Sequence, residues 1–194
     1  MKPLTTIAAA AALALSGCAT ASGYELTSPP RTNPNRFTAV DVAPVAFDSV
    51  PAQAVCPVTD SPPDTASNCP QQAADELATA IRRGIVDGLT GSGDLALVVA
   101  ELDPGPGALL ISCAVLQFDE GSRTLRYLVG MGAGKAVLRL TCRFTDLDDD
   151  APYAEGVFRA ELKGGLFGGA ADGQAMGKQV GEAIRDFLRT GQPE

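Results

Sequence analysis

The chain has 194 residues, with 15 Lys and Arg against 23 Asp and Glu, for a formal net charge of −8. That balance argues against nucleic acid and anionic lipid headgroups as partners of the whole chain, because like charges repel. The sequence contains no histidine, which excludes Ser-His and Cys-His nucleophile pairs and any two-histidine metal site.

The chain opens with Met1-Lys2-Pro3, followed by an apolar run from Ile7 to Leu15 and then Ser16-Gly17-Cys18. A basic start, an apolar segment of about 7 to 15 residues and small residues at the cut predict a secretory signal. The run is too short for a permanent span. The ending Leu15-Ser16-Gly17-Cys18 resembles the lipobox of bacterial lipoproteins, which implies that Cys18 is acylated and becomes the mature N-terminus. Ala19 stands where aspartate commonly retains lipoproteins in the inner membrane, so the same resemblance implies an outer-membrane anchor facing the periplasm. Cleavage there leaves 177 of the 194 residues, and without Lys2 the charge count is 14 against 23. The expected organisation is a signal over 1–17, a lipidated flexible tether over 18–35 and a single domain over 36–194. Acylation, not charge, is what would hold such a chain to a membrane.

The tether reads ATASGYELTSPPRTNPN, a composition of small, polar and proline residues that cannot bury a core. Arg36 to Val50 reads as a strand interrupted near Pro44. A Pro/Ser/Asp-rich loop between Cys56 and Cys69 follows. In the next segment Ala74, Leu77, Ile81, Ile85 and Leu89 recur at three and four residues and predict one apolar helical face, ended by Gly91 and Gly93. Arg82 and Arg83 fall on the expected solvated side.

Four strands are then expected, over Leu95 to Leu102, Ala108 to Phe118, Lys135 to Leu147 and Tyr153 to Leu162. In the third, Ala136, Leu138, Leu140, Cys142 and Phe144 alternate with Lys135, Arg139 and Arg143, which predicts a largely antiparallel sheet with one wet face. A glycine-rich loop leads to a last helix. Its stripe is Met176, Val180, Ala183, Ile184, Phe187 and Leu188, with Asp172 as candidate cap and Gly191 as stop. The order strand, helix, four strands, helix predicts an α+β fold, a largely antiparallel sheet of about five strands with two helices packed on one face.

With Cys18 assigned to lipid, Cys56, Cys69, Cys113 and Cys142 remain in an oxidising compartment. Four cysteines allow three connectivities. A hairpin folded symmetrically about Tyr127 and Leu128 sets Cys113 opposite Cys142, which leaves Cys56 to close the local loop with Cys69. Each bridge is worth roughly 3 kcal/mol by loop entropy. Buried free thiols are the alternative, while zinc is disfavoured by the lack of a Cys-x-x-Cys pair and of histidine.

The stretch RYLVGMGAGKAVLRL invites a nucleotide reading and fails it. A P-loop would need glycine at Val129 and a hydroxyl at Ala136, and the chain continues as a strand, not a helix. A dinucleotide fingerprint would need its third glycine at Lys135 or Val137. Alternating glycines instead suit a bulge or a close backbone approach. With Arg123, Arg126 and Lys135 beside Gly130, Gly132 and Gly134, they form a possible partner-docking site, and Tyr127, Leu128, Val129 and Met131 would add an apolar patch. The acidic run Asp146-Leu147-Asp148-Asp149-Asp150 lacks the glycine and glutamate of a calcium loop, having Ala151 and Val157 there, so it reads as a turn.

Phe118 to Asp148 also resembles the signature of the DUF4410 family of bacterial envelope lipoproteins. The residues that carry the resemblance are Gly121, Ser122, Arg123, Arg126, Gly130, Gly132, Gly134, Lys135 and Asp146. It implies a bacterial envelope protein of a family without an assigned activity, and it transfers no catalytic residue. The expected function is an outer-membrane-anchored binding or scaffolding module that engages an unidentified envelope protein. The alternative is an accessory, oligomeric subunit of an envelope transport or secretion assembly.

Overall fold

Alternation builds the centre of the sheet. In Ala136–Asp146 (β5), residues Ala136, Leu138, Leu140, Cys142 and Phe144 are buried, while Arg139 and Arg143 are exposed. Ala108–Asp119 (β4) and Ala151–Leu162 (β6) flank it, both antiparallel to it. The computed structural model describes residues 22–30, 36–47, 69–91, 98–99, 106–119, 135–162 and 169–190.

Ser22–Ser28 (β1) pairs antiparallel with β6, whereas Ala39–Val42 (β2) runs parallel to β4 and to Val98–Val99 (β3). The six strands lie in the order β1-β6-β5-β4-β2-β3. Two 22-residue helices, Cys69–Thr90 (α1) and Gly169–Thr190 (α2), pack on each other and on one face of this sheet. This is the α+β class that the periodicities predict, mostly antiparallel, with one further strand ahead of the expected series.

The core lies between that face and the helices. Leu77, Ile81, Ile85 and Leu89 of α1 and Met176, Val180, Ile184, Phe187 and Leu188 of α2 are all buried. Phe187 meets the rings of Tyr24, Phe144 and Tyr153 at centroid distances of 5.8, 5.2 and 6.5 Å. Full burial of one such side chain is worth roughly 1.5–3 kcal/mol.

Three readings of the sequence change here. Ser22–Ser28, placed within the flexible tether, is the sheet's edge strand, because Tyr24 stacks on Phe158 at 5.3 Å and Leu26 packs against the core. Arg82, placed on the solvated side, is half-buried, and its Nε donates to the Val42 carbonyl at 2.7 Å, tying α1 to the end of β2. Asp172 is buried inside the first turn of α2, which begins at Gly169, so it acts on the helix dipole from within and does not cap the end.

The helices are held unusually close. A Cβ on Gly84 would lie 2.1 Å from the Gln174 carbonyl oxygen, and one on Gly88 would lie 2.2 Å from that of Lys178. From the other side, a Cβ on Gly177 would lie 2.3 Å from the Ile81 oxygen. The contacts advance along both helices together, so α1 and α2 run parallel, backbone against backbone.

Candidate functional site

The helices cover one face of the sheet, and the other face is where β4, β5 and β6 present their outward residues. Cross-strand register sorts these into rows. Gly23, Arg159, Arg139 and Gln117 form one row across β1, β6, β5 and β4. Toward the end where β5 opens and β6 closes, the next row holds Glu161, Val137 and Asp119. In the opposite direction come Glu25, Val157, Thr141 and Ala114, then Glu155, Arg143 and Ser112.

Charge on this face is partly neutralised within it. Lys135 Nζ lies 3.3 Å from Glu161 Oε2, Arg159 also pairs with Glu161, and Arg143 lies 3.6 Å from Glu155. Glu161 is buried beneath its two cations. Arg139 is different: its direct cross-strand neighbour is Arg159, and it has no ion pair among the described residues. Like charges directly opposite on neighbouring strands oppose each other.

A bulge stands beside this row. Register slips between Val115 and Gln117, so Leu116 is left without a partner on β5. It is 41% exposed, the one large apolar side chain that is exposed among the described residues. Burial follows the slip: Cys113 and Val115 are buried at odd positions, yet Phe118 is buried at an even one. Such a change of phase within one strand requires an extra residue.

The structure pairs Cys113 with Cys142 across β4 and β5, with Cα atoms 4.1 Å apart and the sulfurs bonded. Cys69 opens α1. Cys18, Cys56, Arg123, Arg126, Gly130, Gly132 and Gly134 lie outside the described residues. Lys135 lies inside them, at the start of β5 and engaged with Glu161.

At the opposite end of the sheet the acidic run forms the turn between β5 and β6. Asp146 is ion-paired with Arg36 and accepts the Asp148 amide at 3.0 Å, and the Gly107 amide donates to both Asp148 oxygens at 2.8 and 3.0 Å. Asp150 adopts φ 48°, a conformation that Asp tolerates better than most residues. These carboxylates hold the turn, and no cluster suited to a metal occurs among the described residues. Nearby, burial pushes the Tyr153 hydroxyl up to about 12, opposed by the Arg36 charge. On the helical side, Gln72, Asp75, Glu76, Thr79 and Arg83 of α1 and Gln174 of α2 border a groove of about 490 Å³, with Asp75 and Glu76 exposed to solvent.

The sequence profile of DUF4410, a domain of unknown function, matches residues 38–186. The chain belongs to the DUF4410 family. The match runs from just before β2 to near the end of α2, so β1 precedes this DUF4410 region. No curated protein matches the chain. Among solved structures, the PelC dodecamer from Paraburkholderia phytofirmans is similar at 13% identity and a TM-score of 0.47, over 85% of this chain and 98% of that one. A DUF330 protein from Xanthomonas campestris is similar at 16% identity and a TM-score of 0.45, over 84% of this chain and 91% of that one.

Proposed function

We propose that this DUF4410 protein is a lipoprotein anchored through Cys18 in the outer membrane, facing the periplasm. There it serves as a noncatalytic binding or scaffolding module. The observation that carries this reading is the face of the sheet opposite the helices, where Leu116 projects exposed from the bulge beside Arg139, which has no ion pair among the described residues. An exposed leucine next to an uncompensated cation suits a protein partner that supplies apolar contact and a carboxylate. The acidic residues argue in the same direction: Asp146 and Asp148 are committed to Arg36 and to backbone amides, and Asp75 and Glu76 stand at an open groove that does not desolvate them.

The test is photo-crosslinking in intact cells from a reactive amino acid placed at Leu116, compared with one at Thr79 on the helical side. The expected result is one discrete adduct from position 116 that weakens when Arg139→Glu is added, and none from position 79. An adduct to a second copy of the chain would point to self-association, as in an accessory subunit of a larger assembly. Capture from position 79 alone would overturn the assignment of the open face.

A further inference from the structure

We infer that the end of the sheet carrying Ser22, Leu162 and Lys135 faces the lipid surface, with the row Arg159 and Arg139 beside it, and that the acidic β5–β6 turn points away. The inference rests on the proposed acylation of Cys18.

Chain length supplies the first argument. Ser22 begins β1 and pairs with Ala160, so the chain ahead of it leaves the sheet where β6 ends at Leu162 and β5 begins at Ala136. Cys18 lies four positions before Ser22, and four residues span at most about 14 Å when fully extended. An acyl chain on Cys18 therefore keeps this end of the domain at the membrane surface. The edge strand leaves no long spacer between lipid and fold.

Charge decides the tilt. Gly23 shares its row with Arg159 and Arg139, which lie one and two strands away, roughly 5 and 10 Å laterally. Lys135 is exposed at the same end, where Glu161 pairs with it and with Arg159 and Asp119 is exposed in the next row, so three cations stand there against two carboxylates. At the other end Asp148, Asp149 and Asp150 are all exposed in the turn after β5. The eight residue-to-residue steps of β6 from Arg159 back to Ala151 separate the two ends by roughly 27 Å. That exceeds two Debye lengths of about 10 Å, so an upright domain keeps its acidic turn clear of anionic headgroups while its arginines stay within their field. The net charge of −8 belongs to the chain as a whole, and its uneven placement orients the domain.

The sequence contains no tryptophan, so a single introduced one reports alone. Gly23→Trp and Asp149→Trp would be made separately in the full, acylated chain. A Cβ at Gly23 meets nothing within 4 Å, and Asp149 is exposed, so both sites accept the ring at the surface. The proteins are bound to vesicles of phosphatidylethanolamine and phosphatidylglycerol with a dansyl-labelled headgroup lipid. Flotation of the acylated chain and not of Cys18→Ala first checks the anchor. Energy transfer to dansyl several-fold stronger from position 23 than from 149, with the difference reduced by Arg139→Glu, is the expected result. Cys18-dependent flotation with equal transfer, or with stronger transfer from position 149, would overturn the orientation and leave the anchor standing. Flotation that ignores Cys18→Ala would overturn both.

Discussion

Gly181 of α2 sits against Ile85 of α1 so closely that a Cβ on Gly181 would lie 2.2 Å from the Ile85 carbonyl oxygen and 3.0 Å from the Gly88 Cα. The obstacle is backbone, which cannot rotate aside. Gly181→Ala therefore has to push the helices apart. Helix propensity favours alanine over glycine by about 1 kcal/mol, but prying open a packed interface costs about 1–3 kcal/mol or more. The expected outcome is a net loss of stability and a lowered Tm. Gly173→Ala is the control, since its closest obstacle is the Leu77 Cδ1 at 2.4 Å, the end of a side chain that can move. Thermal melts should place Gly173→Ala well above Gly181→Ala.

The bridge between Cys113 and Cys142 links positions 29 apart in sequence, for which loop entropy gives about 3–4 kcal/mol. Both residues are buried. Chemical denaturation in the presence of reductant, or of the Cys113→Ala, Cys142→Ala double variant, should show a loss of that order. An unchanged midpoint would mean that the bridge does not constrain the unfolded chain.

Arg82 is the helix-side anchor of β2. Its Nε–H donates to the Val42 carbonyl at 2.7 Å, and Val42 itself is buried. Arg82→Ala leaves that oxygen without this donor at a cost of about 1–3 kcal/mol, whereas Arg83→Ala, at an exposed position, should be nearly neutral. Hydrogen exchange should locate the Arg82→Ala effect in β2 and the parallel pairing with β4.

Tyr153 couples folding to alkaline pH. Burial raises its hydroxyl from 10.0 to about 12, with Arg36 pulling the other way. The unfolded chain then loses this proton at lower pH than the folded one, so stability is intact below pH 10.0 and declines as pH rises toward about 12. Denaturation midpoints across that window should fall less steeply in Tyr153→Phe than in the parent.

Much of this architecture is legible from local pattern. The period-two alternation of β5 puts the same five residues inside that the sequence reading does, and the three-and-four spacing of both helices marks their buried stripes, because each pattern is a property of one element's own geometry. Symmetric numbering about Tyr127 and Leu128 also brings Cys113 opposite Cys142, because register in an antiparallel pair holds until a bulge breaks it. Beyond Val115 that symmetry fails, and Leu116 with it.

What the sequence alone determined is therefore the content of the elements and the side each residue faces. Which elements become neighbours was decided in three dimensions. Ser22–Ser28 carries too little apolar residue to declare itself, and becomes a strand because β6 offers an unpaired edge and Phe158 a ring for Tyr24 to cover. The glycines of α1 and α2 acquire meaning once the two helices are parallel and touching, and Arg139 meets Arg159 through the offset between β5 and β6. Periodicity is set by the turn of a helix or the pleat of a strand, whereas adjacency depends on how distant segments share the same core.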